Sequence, residues 1–296
     1  MRVRFLALLG VVCALSAAAP SASAASAQPG RITVIGDSVL TAVQWNDKPL
    51  SILEQGFPDM DLQIAICRTL TGESCPFDGQ RPPNLVDLVH ALGANIGATV
   101  VVEVGYNDSE DGFADAVDTS IQTLLAAGVQ RILWLNYHVW DPRFAAMNTV
   151  LAQVASHYPQ VTIVDWQSDS FIQYSWFQGD GIHLVMPGAL AIAALIHDSL
   201  VRALNPLALA KPVLPVARVG QRFTARLEVS GGEAPYQWQV TSGPLPKGLH
   251  LLADGTLDGT PLKAGRMSIA VEVGDATGQE ASVDVDLLVR PRGSPG

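Results

Sequence analysis

The sequence predicts an α/β domain, with a parallel sheet flanked by helices, followed by a small all-β sandwich. Up to about residue 205, short apolar runs alternate with longer segments of helical spacing. Such runs are typical of strands that are buried on both faces of a parallel sheet. After a proline-rich segment, polar and apolar residues alternate between glycines and prolines. That pattern favours antiparallel strands.

Five short runs rich in valine, isoleucine or leucine are predicted to be the strands of the first domain. They are residues 32–35, 62–66, 99–104, 131–136 and 161–165. Four segments have helical spacing: residues 85–92, 113–127, 143–157 and 187–204. This alternation predicts a parallel sheet with helices on both faces. Ligands of such sheets bind at the carboxyl ends of the strands.

The second domain is predicted from four segments that alternate in polarity. They are residues 221–230, 236–241, 267–274 and 281–289. Residues 206–220 contain three prolines and are interpreted as a linker. The β-sandwich is therefore predicted over residues 221–290, with residues 291–296 as a loose tail.

Composition limits the classes of function. Apolar residues make up 48% of the chain and charged residues 16%, against about 25% charged in an average domain, so the chain can bury a substantial core. The formal net charge is −10. Because binding to nucleic acid needs a concentrated basic patch, and no run of lysine or arginine occurs, we expect no nucleic-acid partner.

The N-terminus predicts export. Arg2 and Arg4 precede an apolar run over residues 5–19, and small residues then offer cleavage sites. This is the pattern of a signal peptide, here residues 1–27. A membrane anchor is the alternative, but the run is shorter than the ~20 residues that a spanning helix needs. We therefore expect a secreted or cell-surface protein after cleavage.

Cleavage would remove Cys13 and leave Cys67 and Cys75 as an even pair in an oxidising compartment. A disulfide between them is the natural interpretation. Two cysteines alone do not complete a zinc site, so no metal is predicted.

Three polar clusters bear on chemistry. Ser38 follows the first predicted strand, Asn107 follows the third, and Asp180 stands three residues before His183. A serine hydroxyl becomes a good nucleophile when a base lies within hydrogen-bond reach, and a neutral imidazole oriented by a carboxylate is such a base. Taken alone, Ser38 could belong to an ordinary helix N-cap and Asn107 to a turn. Their joint occurrence in this order favours catalysis.

Together these clusters resemble the SGNH hydrolases, also called the GDSL esterase/lipase family. The resemblance covers roughly residues 31–204 and rests on Gly36-Asp37-Ser38, Gly105-x-Asn107-Asp108 and Asp180-x-x-His183. It implies an SGNH-type parallel sheet flanked by helices and catalysis by Ser38, His183 and Asp180 through an acyl-serine. No metal or organic cofactor is implied.

The resemblance also implies an oxyanion hole made by the Ser38 N–H, the Asn107 side chain and a third donor. The family places a glycine after the second strand, whereas this chain has Cys67-Arg68-Thr69-Leu70-Thr71-Gly72 there. The third donor is therefore either Cys67 or Gly72.

Three further motifs resemble the immunoglobulin-like modules of bacterial surface proteins. They lie at residues 231–236, 245–249 and 255–261. The resemblance implies an immunoglobulin-like sandwich that could contact a cell surface or a polysaccharide, and says little about function.

The sequence thus predicts an exported serine esterase that removes an acetyl or short acyl group from a carbohydrate or a small alcohol. An O-acyltransferase that passes the acyl group to a saccharide is the first alternative. A non-catalytic surface-binding protein is the second.

Overall fold

A computed structural model of the chain describes residues 28–293. The predicted signal peptide and the last three residues of the predicted tail lie outside the described residues.

The first domain contains a five-stranded sheet with the strand order β2-β1-β3-β4-β5. The strands are β1 (Gln28–Gly36), β2 (Met60–Ile64), β3 (Gly97–Glu103), β4 (Arg131–Leu135) and β5 (Val161–Val164). Every pairing between them is parallel. β3 is buried at every position because it lies at the centre of the sheet, whereas the edge strand β2 is half-buried throughout.

Helices cover both faces of this sheet. They are α1 (Thr41–Gln44), α2 (Asp47–Leu53), α3 (Leu85–Leu92), α4 (Phe113–Ala126), α5 (Pro142–Ala155), α6 (Trp166–Ser170) and α7 (Met186–Leu204). α4 packs against α3 and α5, and α7 packs against α1 and α2. α7 is apolar and long enough to pass for a membrane span by composition, but half of it is buried in this core.

Local chemistry explains where the helices begin. The Asn84 side chain accepts a hydrogen bond from the Asp87 N–H at 2.8 Å and so caps α3. Asp141 caps α5 in the same way through the Arg143 N–H, at 3.0 Å. Pro142 then occupies the first turn of α5, where it removes no helical hydrogen bond.

The second domain is all β. Its strands are β6 (Ala208–Leu209), β7 (Ala217–Arg218), β8 (Phe223–Arg226), β9 (Val229–Ser230), β10 (Gln237–Ser242), β11 (Leu249–Leu251), β12 (Thr256–Gly259), β13 (Gly265–Gly274) and β14 (Glu280–Arg290). A sheet ordered β10-β13-β14-β7 faces a smaller sheet ordered β11-β12-β8, and β6 pairs with β9. Leu257 from the smaller sheet and Val271 and Val285 from the larger one are fully buried in a common core. This arrangement is a small β-sandwich.

The segment predicted as a linker, residues 206–220, is instead built into this sandwich. β6 pairs with β9, and β7 pairs in parallel with the end of β14. Both strands have two residues and lie at sheet edges, where nearby prolines are tolerated because no second neighbour needs their N–H groups. The predicted strand at 221–230 is divided into β8, which pairs with β12, and β9, which pairs with β6.

The two domains touch directly. Arg202 at the end of α7 donates to the Thr277 carbonyl at 2.9 Å. Asn205 and Gly232 exchange two hydrogen bonds of 2.8 and 2.9 Å. Gln55 donates to the Glu233 carboxylate at 2.9 Å. None of the residues in these contacts belongs to the predicted site, which lies at the carboxyl ends of β1 to β3 in the first domain.

Candidate active site

Ser38 lies at the carboxyl end of β1, in the turn that leads into α1. Its carbonyl accepts hydrogen bonds from the Thr41 hydroxyl at 2.6 Å and from the Thr41 N–H at 3.3 Å. Ser38 is 9% exposed, so it is held by its surroundings and still reaches the surface. The turn fixes the direction of its hydroxyl group.

Asp180 and His183 lie in the loop before α7. The His183 carbonyl accepts from the Gln178 N–H at 2.7 Å, and the Val185 N–H donates to the Trp176 carbonyl at 2.9 Å. One carboxylate oxygen of Asp180, Oδ1, accepts from the backbone N–H groups of Ile182 and His183 at 2.9 and 3.0 Å. Hydrogen bonds within the loop therefore hold Asp180 and His183 in place, independently of any contact with Ser38.

The structure brings the three predicted catalytic side chains together. Asp180 Oδ2 lies 2.7 Å from His183 Nδ1, and His183 Nε2 lies 3.0 Å from Ser38 Oγ. With a neutral imidazole, Nδ1–H donates to Asp180 and the Ser38 hydroxyl donates to Nε2. Ser38 and His183 are 145 positions apart in sequence, and the fold brings them together at the carboxyl edge of the sheet.

Asp180 is suited to remain charged. Burial would raise the pKa of its carboxyl, but hydrogen bonds from the His183 side chain and from the two backbone N–H groups outweigh that effect and hold the pKa below its usual value. A permanently charged carboxylate can stabilise the imidazolium that forms when His183 takes a proton.

Asn107 follows β3 and reaches across toward the other two loops. Its side-chain amide donates to the Arg68 carbonyl at 3.1 Å and, more weakly, to the Asp37 carboxylate at 3.4 Å. Asp37 adjoins Ser38, and Arg68 adjoins Cys67. Asn107 thus contacts the direct neighbours of both Ser38 and Cys67. To face a substrate, its amide must turn from these present partners.

The two candidates for the third donor differ in their placement. The φ angles of both Cys67 and Gly72 are +71°, a left-handed conformation that costs an ordinary residue about 1–2 kcal/mol and glycine very little. The N–H groups of Ser38, Cys67 and Gly72 donate to no backbone carbonyl within residues 28–293. Gly72 lies further along the loop, with its carbonyl held by Asn84 at 2.7 Å. The third donor stays a prediction, and this placement favours Cys67.

Cys67 and Cys75 form the predicted disulfide, with their Cα atoms 5.1 Å apart. The loop that it closes is also held by Arg81, which donates to the Ser74 carbonyl and pairs with Glu73 at 3.2 Å. The segment after β2 is therefore tied at both ends.

Two replacements of this disulfide should separate the stability due to the bridge from the backbone strain at residue 67. We expect Cys67→Ala/Cys75→Ala to lower the free energy of unfolding by about 2–3 kcal/mol, because the bridge closes a short loop. Cys67→Gly/Cys75→Ala should recover about 1 kcal/mol of this loss, since glycine takes the left-handed conformation without strain. Urea denaturation of the two variants measures the difference. Equal stability, or a less stable glycine variant, would contradict the assignment of Cys67 to a position that suits glycine.

A cluster of buried charged groups below Ser38 was missed by the sequence analysis. Asp37 is fully buried and accepts from the Val39 N–H at 3.0 Å. Glu103 is 2% exposed, and neither of its carboxyl oxygens accepts a hydrogen bond from any described residue. Burial and the charge of Asp37 raise the pKa of Glu103, which favours the neutral form of this carboxyl beside the Asp37 carboxylate. An acidic residue ending the apolar run of β3 is the one signal that could have revealed this pair.

Burial dominates the titration of this cluster. It raises the pKa of Asp37 to about 6, against the hydrogen bond from Val39, and raises the pKa of Glu103 well above its usual value. Burial lowers the pKa of Arg68 to about 10, although the charge of Asp37 opposes that shift. Burial also raises the pKa of Asp108 to about 7, although both its oxygens accept from the Leu70 N–H at 3.1 Å.

These shifts predict an unusual dependence of stability on pH. Between about pH 4 and pH 7 the folded protein binds protons at Asp37, Glu103 and Asp108 that the unfolded chain has released. The free energy of unfolding should therefore fall as pH rises through this window, by an amount on the order of a few kcal/mol. Asp180, whose pKa is lowered, loses its contribution only below about pH 4.

Thermal unfolding between pH 4.5 and 8 tests this dependence, and Glu103→Gln is the matched variant because it keeps the shape and removes one titrating group. We expect the wild-type protein to melt at a higher temperature at pH 5 than at pH 8, with a smaller difference in the variant. A wild-type melting temperature that rises steadily toward pH 8 would refute the assignment.

One group of potential metal ligands lies elsewhere, at the junction of the domains. It consists of His197, Asp198 and Glu233. His197 Nε2 is 3.1 Å from the Gln55 carbonyl, and Nδ1 is 3.2 Å from the Asp198 carboxylate. His197 Nδ1 is also 3.9 Å from the carboxylate of Glu233 in the second domain, so the cluster is explained as a contact between the domains.

Known proteins resemble the two domains separately. Residues 205–290 match the family model described as Putative Ig domain. The C-terminal domain is immunoglobulin-like. The match begins at residue 205, just before β6, so it includes the segment predicted as a linker. The predicted fold class is confirmed, as is the predicted resemblance to an SGNH-type domain followed by an immunoglobulin-like module.

One curated relative and two solved structures match the first domain. Peptidoglycan O-acetyltransferase OatA from Listeria monocytogenes is 28% identical over 164 residues, which are 55% of this chain and 22% of OatA. The chain thus spans about a fifth of the length of that relative. A carbohydrate esterase family 3 structure from Talaromyces cellulolyticus is 16% identical over 58% of this chain and 97% of that one, with a TM-score of 0.42. A family 3 carbohydrate esterase from Clostridium thermocellum is 17% identical over 57% and 93%, with a TM-score of 0.40.

Proposed function

We propose that the protein is an exported serine esterase that removes an acetyl or short acyl group from a carbohydrate through an acyl-serine at Ser38. The observation that carries the proposal is the continuous hydrogen-bonded chain from Asp180 through His183 to the Ser38 hydroxyl. A structural role for these residues would not require a half-exposed imidazole bonded at both nitrogens. Nucleophilic catalysis requires that arrangement.

The reaction has two halves. Ser38 Oγ attacks the acyl carbon while His183 Nε2 takes the hydroxyl proton, and Asp180 stabilises the resulting imidazolium. When the tetrahedral intermediate collapses, the C–O bond to the alcohol breaks and His183 returns the proton to the leaving oxygen. A water molecule then attacks the acyl carbon of the acyl-serine while His183 takes a proton from the water. The bond from the acyl carbon to Ser38 Oγ breaks, His183 returns the proton to Oγ, and the free acid leaves.

The negative charge on the carbonyl oxygen needs fixed donors. We assign this role to the Ser38 N–H, the Asn107 side chain and the Cys67 N–H. Loss of one such donor typically lowers the rate by about 10²–10³. The Asn107 amide can reach the oxyanion once it gives up its long contact with Asp37.

Two features support a carbohydrate ester as substrate. The side chains of His183 and Asp180 are 41% and 44% exposed, so a bulky alcohol has access to the leaving-group side of Ser38. The relative from Listeria acts, by its name, on peptidoglycan. An acetylated cell-wall polysaccharide fits both features.

The same relative favours an O-acyltransferase as the second candidate, because its name describes a transfer of acetyl groups. Both reactions pass through the same acyl-serine and differ only in whether water or a sugar hydroxyl accepts the acyl group. An acyl donor supplied with and without saccharide acceptors separates them. Release of free acid, unchanged by acceptors, supports the esterase, whereas acylated saccharide with little free acid supports the transferase.

A non-catalytic surface-binding protein is the third candidate. A fluorophosphonate probe, which reacts with activated serines, tests it directly. Labelling that is lost in Ser38→Ala supports an enzyme. An unlabelled, folded protein that hydrolyses no ester would exclude both catalytic candidates.

We expect the immunoglobulin-like domain to be dispensable for chemistry. None of the three side chains joined at Ser38 comes from it, and its contacts with the first domain involve other residues. A chain ending near Leu207 should hydrolyse a small soluble ester at close to the full-length rate. Any loss should fall on polymeric substrates, where tethering raises the effective concentration. A folded truncated protein that is inactive on small esters would show that the domain completes the active site.

A further inference from the structure

A pocket of about 470 Å³ opens beside Ser38, between α1 and the segment that follows β2. Thr41, which binds the Ser38 carbonyl at 2.6 Å, forms part of its wall. Ile66, the neighbour of the oxyanion candidate Cys67, forms another part. Two neighbours of the proposed site, Thr41 and Ile66, thus form part of this pocket, which lies on the side of α1 that faces the edge strand β2.

Two exposed aromatic side chains line this pocket. Trp45, at the end of α1, is 68% exposed, and Phe77 is 53% exposed. By contrast, Trp134 and Trp166 in the same domain are buried almost completely. Large aromatic side chains left in solvent next to a reactive serine are typical of a binding surface.

The rest of the pocket is partly polar and already formed. Its lining combines the polar residues Gln44, Gln80 and Arg81 with the apolar residues Ile64, Ala65, Ile66 and Pro82. Phe77 and Gln80 exchange two backbone hydrogen bonds of 2.8 and 3.0 Å across Asp78-Gly79. Both central residues have positive φ, 50° and 74°, as in the tight hairpin turn that favours Asp-Gly. The nearby Cys67–Cys75 disulfide also holds this wall, so little ordering is needed on binding.

We propose that the pocket between Trp45 and Phe77 binds a sugar ring of the saccharide that carries the ester. This inference rests on the proposed function, which names a carbohydrate ester, and adds the subsite that holds the sugar. A pyranose has a face of C–H groups that stacks on aromatic rings and an edge of hydroxyls that bonds to amides, and the lining offers both. A long acyl chain would instead need an enclosed apolar channel, whereas this pocket is open and carries two amides.

Kinetics on two substrates test the proposal. Trp45→Ala and Phe77→Ala are assayed with an acetylated oligosaccharide and with 4-nitrophenyl acetate, which has no sugar. Phe171→Ala is the matched control, because Phe171 is also an exposed aromatic residue, at 62%. Phe171 follows α6, which comes after β5, the strand at the opposite edge of the sheet from β2. We expect kcat/KM on the oligosaccharide to fall about tenfold in the two pocket variants, mainly through KM, as for the loss of one aromatic contact. Activity on 4-nitrophenyl acetate should change less than twofold.

The outcomes distinguish this inference from the proposed function. Unchanged oligosaccharide kinetics in both pocket variants, with normal activity on 4-nitrophenyl acetate, overturn the sugar site and leave the esterase intact. Equal losses on both substrates show a structural role and also overturn it. A loss confined to esters of long acyl chains would assign the pocket to the acyl group instead. Absence of all ester turnover in the wild-type protein would be a failure of the proposed function itself.

Discussion

Ser38→Ala should fold normally and lose nearly all esterase activity. The substitution removes the atom that forms the acyl intermediate, and loss of the nucleophile in a serine hydrolase typically lowers kcat by about 10⁶. The backbone does not change, because the turn at Ser38 is held by its carbonyl group and not by its hydroxyl. Initial rates on 4-nitrophenyl acetate, together with a circular dichroism spectrum and a melting temperature, measure both parts of the prediction.

Ser51→Ala is the matched control for this substitution. Ser51 lies in α2, and its hydroxyl donates only to the Lys48 carbonyl, at 2.9 Å. Its loss should leave the rate unchanged. Substantial activity in a folded Ser38→Ala protein would mean that another residue carries the acyl group.

Asp180→Asn should lower kcat by about 10⁴ without unfolding the loop. The two carboxylate oxygens have different partners: Oδ1 accepts from two backbone N–H groups, and Oδ2 accepts from His183 Nδ1. An asparagine keeps its oxygen on the backbone side and therefore turns its NH₂ group toward His183. The imidazole must then present an unprotonated Nδ1 and carry its proton on Nε2, where it can no longer accept the proton of Ser38. The same change of tautomer causes a loss of about 10⁴ in a serine protease.

Asp165→Asn provides the comparison for Asp180→Asn. Asp165 also has a lowered pKa, which burial would raise but which hydrogen bonds from Ser168 and Asn136 hold down. It caps α6, and asparagine caps a helix about as well as aspartate, so this substitution should cost little stability and little activity. An Asp180→Asn rate within tenfold of the wild-type rate would contradict the proposed role of Asp180.

The long elements could be predicted from the sequence because burial and local signals agree. The predicted helix at residues 85–92 coincides with α3, since Asn84 caps its start and Gly93 ends it. The central strands were recognisable because a strand buried on both faces is a continuous apolar run. The predicted fold class follows from these elements alone.

The short elements could not be predicted. α1 and α2 have four and seven residues, too few to establish a helical period. β6 and β7 have two residues each and exist only because β9 and β14 lie beside them. Pairing between distant segments decides such strands, so a proline-rich sequence alone was interpreted as a linker.

Part of the site could also be predicted from the sequence, and part could not. Ser38 and Asn107 could be placed near one another because they follow strands whose carboxyl ends meet at one edge of the sheet. His183 lies in the loop before α7, and only the resemblance to the SGNH hydrolases paired it with Ser38. The raised pKa of Glu103 could not be predicted, because it depends on burial beside Asp37, a contact that the sequence does not reveal. Nor could the left-handed conformation of Cys67, because cysteine carries no signal for it.

Trapping of the acyl-enzyme tests the central claim most directly. The wild-type protein and Ser38→Ala are mixed with 4-nitrophenyl acetate, quenched in acid within the first turnovers, digested and analysed by mass spectrometry. The account predicts one acetyl group on the peptide that contains Ser38, at the hydroxyl of that residue, and none in Ser38→Ala. Turnover of the ester with Ser38 unmodified and another residue acetylated would contradict it.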